Sequence, residues 1–244
     1  AKRGFDYGDA DALGEVKSWM EHQAYYLTEA TVELAKERGR CKDSDKTWYG
    51  KGVFPWERRA AGVNELTNFD PELNWEGLRA EMRAYGVRNA TLMAIAPVES
   101  SSVVINSTNG IEMPMSLIST KESKAGSFTQ VVPDYNKLKN KYQLMWDQKD
   151  CIGYIKTSAV LQAYVDQSIS TNTFYNPAHF PEGKVSATLI AKNLMLAYKW
   201  GLKTIYYSLI NKVGSKAALK ELSDTSMKMK LLIEQMREQV QNLE

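Results

Sequence analysis

Apolar positions recur at two different periods along this chain, and the change between them divides it. From Asp9 to Gly39, Leu13, Val16, Met20, Leu27 and Leu34 fall near multiples of three and four, which predicts one long amphipathic helix. Gly39 fits the left-handed C-terminal cap of such a helix. Residues 40–70 hold turn formers and aromatics (Trp48, Tyr49, Phe54, Trp56) without a period, and read as a long irregular connection. Asn74 caps a short helix, Trp75–Tyr85, and Gly86 closes it. Thr91–Ala96 has the length and apolarity of a strand buried on both faces, and Pro97 stops it. Glu99-Ser100-Ser101-Ser102 then reads as the start of a helix that continues through Val103, Val104 and Ile105, with serine hydroxyls as caps. Asn109-Gly110 marks a turn.

Leu117–Thr120 and Phe128–Val132 flank Lys124-Ala125-Gly126 as the two arms of a β-hairpin. Pro133-Asp134 starts a helix expected to reach about Trp146, and a further helix is expected over Ser158–Gln167. Ser170–Tyr175 is β-prone, Asn176-Pro177 and Pro181-Glu182-Gly183 form a loop, and Ser186 caps a helix to Trp200. Lys203–Ser208 follows as a strand. The alternation of strands and helices predicts an α/β fold with crossover helices. From Leu219 the register changes. Leu222, Ser226, Met229, Ile233, Met236, Val240 and Leu243 alternate at spacings of four and three, a heptad pattern with one polar seam position. Such a helix packs either on a partner or on its own domain.

Composition narrows the function classes. The 244 residues are 43% hydrophobic and 25% charged, ordinary for a globular chain. Net charge is +2 with no basic block, so strong nonspecific nucleic-acid binding is not indicated. Cys41 and Cys151 stand in no metal or CxxC spacing, which excludes a disulfide scaffold and suits a reducing cytoplasm. No run approaches a membrane span, and no signal peptide precedes the first helix. The start at Ala1-Lys2-Arg3-Gly4 is that expected of a processed product or one piece of something larger.

Candidate chemistry is sparse. Neither His22 nor His179 is near a second ligand type at useful spacing, and no HExxH, GxSxG or zinc spacing occurs. The segment Pro97–Ser102 combines the carboxyl end of a strand with a helix start, where free N–H groups and the helix dipole favour an anion. The alternative is a plain capped helix after a strand. There is no glycine-rich loop and no P-loop lysine, so a nucleoside triphosphatase of the usual kind is not indicated. Tyr206-Tyr207 is either strand packing or a redox pair, since a phenol gives up an electron easily only if its proton leaves too.

Several segments in order resemble one family. These are Arg88–Ala94 with Pro97–Ser102, Asn109-Gly110-Ile111-Glu112, Gln130–Tyr135, Asp166–Ser170, Phe180–Val185 and Lys203–Tyr207. Together they are similar to the carboxyl-terminal third of the large (alpha) subunit of class I, aerobic, ribonucleotide reductase, over about residues 1–210. The resemblance implies a fold that is the carboxyl-terminal part of a ten-stranded α/β barrel (1–213), followed here by the heptad-patterned helix (214–244). It implies reduction of ribonucleoside diphosphates to deoxyribonucleoside diphosphates by radical chemistry. Tyr206 and Tyr207 match the radical-transfer relay. Pro97, Glu99, Ser100 and Ser101 match the loop that holds the substrate's phosphates, with the backbone N–H of Glu99 as donor rather than its carboxylate. No cofactor is implied in this chain. A di-iron tyrosyl radical belongs to the partner small subunit, and thioredoxin or glutaredoxin is the implied reductant.

Two departures bear on that reading. The family's catalytic cysteines have no counterpart here, since Cys41 and Cys151 match none of them, and no cysteine follows Cys151. The expectation is therefore a split, phage-type subunit, working in the cytoplasm (of the host, if phage-encoded). It would be active only with an amino-terminal fragment and the small subunit. The alternative is a non-catalytic nucleotide- or partner-binding remnant with an assembly helix. Neither nucleic acid nor a membrane is an expected partner.

Overall fold

The computed structural model describes residues 1–123 and 126–211. The hairpin tip at Lys124-Ala125 and the heptad-patterned stretch lie outside them. Helix α1, Ala10–Arg38, forms where the spacing places it and ends at Gly39, whose φ of 78° is positive but whose ψ of 151° is extended, not the expected left-handed cap. Its core-facing stripe is more polar than the pattern implies. Lys17, Glu21, Thr28 and Thr31 are buried beside Leu13, Met20, Ala24, Val32 and Ala35. Each polar group is matched. Glu21 Oε1 accepts from Glu72 N–H, Leu73 N–H and the Trp75 indole (2.6, 3.1 and 3.0 Å). Lys17 Nζ meets Glu21 at 2.7 Å, Glu72 at 2.8 Å and Asp70 O at 2.7 Å. Burial alone would lower the Lys17 pKa, and the two carboxylates outweigh it, so the ammonium is held above its usual value. α1 thereby grips the irregular connection, which is built from short 3-10 turns at Ser44–Lys46, Pro55–Arg58 and Ala61–Glu65.

Helix α2, Trp75–Tyr85, is capped by Asn74 Oδ1, which accepts from Gly77 N–H at 3.0 Å. The expected strand at Thr91–Ala96 is reduced to a single parallel bridge, Ile95 with Ile169. Ala94 and Ala96 are exposed, so this segment is not buried on both faces. Among the described residues a partner lies on one edge only. Helix α3, Glu99–Val104, follows. Strands β1, Ile118–Ser123, and β2, Gly126–Val131, pair antiparallel as the expected hairpin.

The long helix expected after Pro133 breaks up. Only α4, Tyr135–Leu138, is helical, followed by 3-10 turns at Lys139–Lys141 and Met145–Asp147. Tertiary bonds override the local pattern. Gln143 Oε1 accepts Tyr7 N–H at 2.8 Å, and Met145 N–H donates to Pro114 O at 3.0 Å while its side chain is buried. Helix α5, Ile152–Tyr164, begins six residues before the expected Ser158. It is buried nearly all round, so it shows no amphipathic period, and its start is satisfied by Asp150 Oδ1 accepting Ile152 N–H at 2.9 Å. Gly153 is required there. A Cβ would stand 2.3 Å from Tyr7 O, where the chain's amino-terminal segment crosses the helix. α1, α6 and the turns 55–58 and 61–65 pack around α5.

Strand β3, Thr173–Tyr175, is joined to β4, Ser208–Ile210, through α6, Ala187–Lys199, capped by Ser186 as expected. β3 and β4 are parallel, so this is a strand–helix–strand crossover. β4 starts five residues later than expected. Over 203–204 side chains replace the ladder: Lys203 Nζ donates to the carbonyls of Val165, Asp166 and Gln167, and Thr204 Oγ1 to Ile169 O. The described residues thus form two two-stranded sheets and one bridge, a mixed helix and strand architecture with no closed sheet among them. No helix among them is long and apolar enough to cross a membrane.

Candidate functional site

Segment 166–175 is the spine of the site. On one flank Gln167 N–H donates to Met93 O at 3.0 Å and Ser170 N–H to Ile95 O at 2.9 Å. On the other, Tyr206 N–H donates to Thr171 O and Thr173 N–H to Tyr207 O, both at 2.8 Å. Asp166 fixes the upper end, since its carboxylate accepts Leu92 N–H (2.6 Å) and Met93 N–H (3.0 Å). Residues 92–95, which lead into the Pro97–Ser101 loop, and the Tyr206-Tyr207 pair therefore flank one central segment.

The loop differs from expectation in its capping. Val98 is the N-cap of α3, and no side chain caps the helix. No serine is the cap because the cap position falls at Val98, one residue before Glu99 and ahead of every serine. Ser100 and Ser101 are exposed, while Ser102 is buried. Val104 and Ile105 face outward, 86% and 74% exposed, so the apolar end of α3 is not a core face of this chain. Ser100 and Ser101 thus stand exposed in the first turn of α3, and neither caps it.

Tyr206 and Tyr207 are 52% and 57% exposed, so neither is a core packing residue of this chain. Their ring centroids lie 4.0 Å apart, tilted by 49°. By contrast, burial raises the phenols of Tyr7 and Tyr175 to about 12.

A turn that sequence reasoning did not single out for chemistry links the two sides. Asn109 Oδ1 accepts Val98 N–H at 3.0 Å. Gly110 has φ 52°, as the Asn-Gly signal implies. The Glu112 carboxylate accepts from the Asn172 side-chain amide, and Asn172 Oδ1 accepts Tyr207 N–H at 2.9 Å. A small cleft beside Pro97 is lined by Ile95, Ala96, Gly110, Glu112 and Ser170. The available signal was Asn172 itself, a residue disfavoured in strands yet set in a β-prone run.

The cysteines stand apart from this. Cys151 is fully buried, its thiol pushed up to about 11 by burial, with Asn193 Nδ2 donating to Sγ at 3.2 Å. Cys41 is half-buried, and its N–H donates to Val87 O at 2.9 Å. His22 Nδ1 meets Ser18 O and His179 Nε2 meets Trp146 O, both at 2.8 Å. Among the described residues no group of three or more His, Cys, Asp or Glu could hold a metal ion.

A parallel bridge, a strand–helix–strand crossover and a separate hairpin make this a mixed helix and strand domain. The family described as "Ribonucleotide reductase, barrel domain" matches residues 1–208, and the chain belongs to that family. A second description, "Endoribonuclease YicC-like, C-terminal", matches residues 209–244. The chain is 42% identical over 207 residues to "Ribonucleoside-diphosphate reductase 1 subunit alpha" of Salmonella typhimurium and to that of Escherichia coli, covering 85% of this chain and 27% of each relative. It is 36% identical over 203 residues to "Ribonucleoside-diphosphate reductase subunit alpha" of Enterobacteria phage T4, covering 82% of this chain and 27% of that protein. The chain thus spans about a quarter of the length of the curated relatives it matches, as a carboxyl-terminal part of such a subunit.

Proposed function

We propose that this chain supplies the substrate phosphate loop and the tyrosine relay of a ribonucleoside-diphosphate reductase large subunit. Family membership over residues 1–208 supports the reading most directly. In it, Pro97, Glu99, Ser100 and Ser101 hold the diphosphate of a ribonucleoside diphosphate through backbone N–H groups and hydroxyls. Tyr206 and Tyr207 pass an oxidation between them. One electron and one proton leave the reduced phenol as its neighbour's O–H bond forms, which the 4.0 Å ring separation favours.

The rest of the catalytic apparatus lies with other parts. The small subunit's di-iron centre supplies the oxidising equivalent, and no residue of this chain is assigned to it. The thiols that act on the ribose and are re-reduced by thioredoxin or glutaredoxin belong to the remainder of the large subunit, joined or separate. Buried Cys151 is unsuited to that work, because a thiol held protonated is a poor nucleophile and poorly oxidised. Such an assembly works in the cytoplasm.

The test is Tyr206→Phe and Tyr207→Phe in the assembled reductase. Each is expected to abolish deoxynucleotide formation while nucleotide binding and melting temperature hold. Phenylalanine keeps the ring and loses only the hydroxyl. A variant retaining a large share of turnover would return the pair to a structural role.

The match of 209–244 to a second, unrelated description favours keeping one other reading in view. In it the heptad stretch, 214–244, is an assembly helix on a nucleotide- or partner-binding remnant. Replacing Ile233 and Met236 with Asp is then expected to shrink the sedimenting species and leave the α/β body folded, since a charge in a buried seam is costly. Unchanged assembly size would remove the assembly role.

A further inference from the structure

We infer that the Asn109–Glu112 turn is a positioning bracket that holds the loop at Val98 and the backbone of Tyr207 in fixed relation, the latter through Asn172. The inference rests on the reading of these two segments as parts of one site. Its geometry is independent of that reading. Asn109 Oδ1 bonds the N–H of Val98, the residue on which α3 begins. Three residues on, the Glu112 carboxylate takes the Asn172 Nδ2 donor, and the other end of the same planar amide bonds Tyr207 N–H at 2.9 Å. An amide tied at both ends has little rotational freedom left, so Glu112 restrains the Tyr207 N–H in addition to the Thr173 N–H bond on Tyr207 O. The bracket is itself anchored. The Tyr7 hydroxyl donates to Ile111 O at 2.8 Å, and Tyr7 N–H donates to Gln143 Oε1 at 2.8 Å. Tyr7 is held as a neutral phenol, and therefore as a donor, by burial first and by the Glu112 charge second.

Exposed tyrosines have no core to fix them, and a relay depends on the separation of its rings. Holding the backbone from a polar side chain solves that without burying the rings. Asn172 and Glu112 are therefore positioning residues for the tyrosine pair, and Asn109 for the loop.

The test uses Asn172→Ala, Glu112→Ala, Glu112→Gln and Asn109→Ala in the reductase assembled with the remaining large-subunit sequence and the small subunit. Asn172→Ala and Glu112→Ala are expected to lower kcat about ten-fold or more with KM for the ribonucleoside diphosphate nearly unchanged. Asn109→Ala is expected to act mainly on KM. Glu112→Gln is expected to recover most of the kcat lost in Glu112→Ala, because an amide oxygen still accepts from Asn172. A second readout needs no turnover. In the full chain labelled with fluorotyrosine, the Tyr207 fluorine resonance, assigned by its loss in Tyr207→Phe, shifts in Asn172→Ala and moves back toward its original position in Glu112→Gln. Wild-type kcat with an unmoved resonance in Asn172→Ala would overturn the bracket, as would kcat and KM failing together in all four variants with a lowered melting temperature. If Tyr207→Phe keeps its turnover while the resonance still moves, the relay falls and the bracket stands. If Tyr207→Phe is dead and Asn172→Ala is unaffected, the reverse holds.

Discussion

Ser100 and Ser101 stand exposed at the start of α3, and neither hydroxyl serves the helix as a cap. Replacing both with alanine is therefore expected to cost the fold little and the substrate much. Each lost hydrogen bond to a charged phosphate is worth about 1.5–3 kcal/mol, read as a rise in KM with the tyrosine relay intact. Steady-state kinetics of the double variant beside its melting curve checks this, and an unchanged KM would make the two serines bystanders. At this scale the serine run and the tyrosine pair were legible as residue types suited to anions and to oxidation. The capping role was not, because whether a serine turns to its own backbone depends on a φ/ψ choice one residue earlier, at Val98. Asn172 was invisible as a functional residue, since its partners are 60 and 35 positions away.

Elements whose ends are set by local chemistry fell where the sequence placed them. α2 has its Asn74 cap and closing Gly86, α6 has Ser186, and α1 has its period and Gly39. Elements set by distant partners did not. α5 has no polar face to give it a period, residues 139–147 are held by Tyr7 and Pro114, and β4 is delayed by the side chains of Lys203 and Thr204. One lock between elements yields a prediction. Arg79 of α2 bonds Glu57 of the 55–58 turn at 2.7 Å, and Glu57 also accepts Phe54 N–H at 2.9 Å. Burial raises the Glu57 pKa, and the Arg79 and Phe54 bonds outweigh it and hold the carboxyl below its ordinary value of 4.5. A carboxyl lowered in the folded state stabilises above its unfolded value and loses that contribution as pH falls through the folded one. Stability is thus expected to drop below about pH 4.5. Glu57→Gln is expected to reduce that acid sensitivity and to cost on the order of 1 kcal/mol at neutral pH. Melting curves at pH 7 and pH 3.5 for both proteins (chosen to bracket about 4.3 for an unperturbed Glu) are the measurement. Equal acid slopes would show that the lock contributes nothing.

Across the molecule, the Tyr175 phenol and the Cys151 thiol lie in the core, the partly buried Tyr7 packs against it, and all three shift in one direction. Burial raises Tyr7 and Tyr175 from 10.0 to about 12, and Cys151 from 9.0 to about 11. An acid whose folded pKa is raised keeps its full contribution below the unfolded value and loses it as pH climbs toward the folded one. The fold is therefore expected to weaken through the range from about pH 9 to about pH 12, by on the order of 1 kcal/mol or more per group. Tyr7→Phe is expected to lessen the alkaline slope while losing the bond to Ile111 O. Circular dichroism melts against pH decide it, and an alkaline slope identical to wild type would remove Tyr7 from the account.

Periodicity, caps and turn residues are properties of neighbours in the chain, so α1, α2, the hairpin, α6 and the order of family motifs could be read without any tertiary contact. The sequence by itself also placed Pro97–Ser101 and Tyr206-Tyr207 as the residues worth testing. Tertiary structure decided the rest. It set segment 166–175 between the two flanks, turned Val104 and Ile105 outward, and buried Lys17 and Glu21 as a matched pair. It joined Glu112 to Tyr207 through Asn172. Each of these is a contact between groups far apart in the chain. Its free energy depends on geometry that a one-dimensional pattern does not carry.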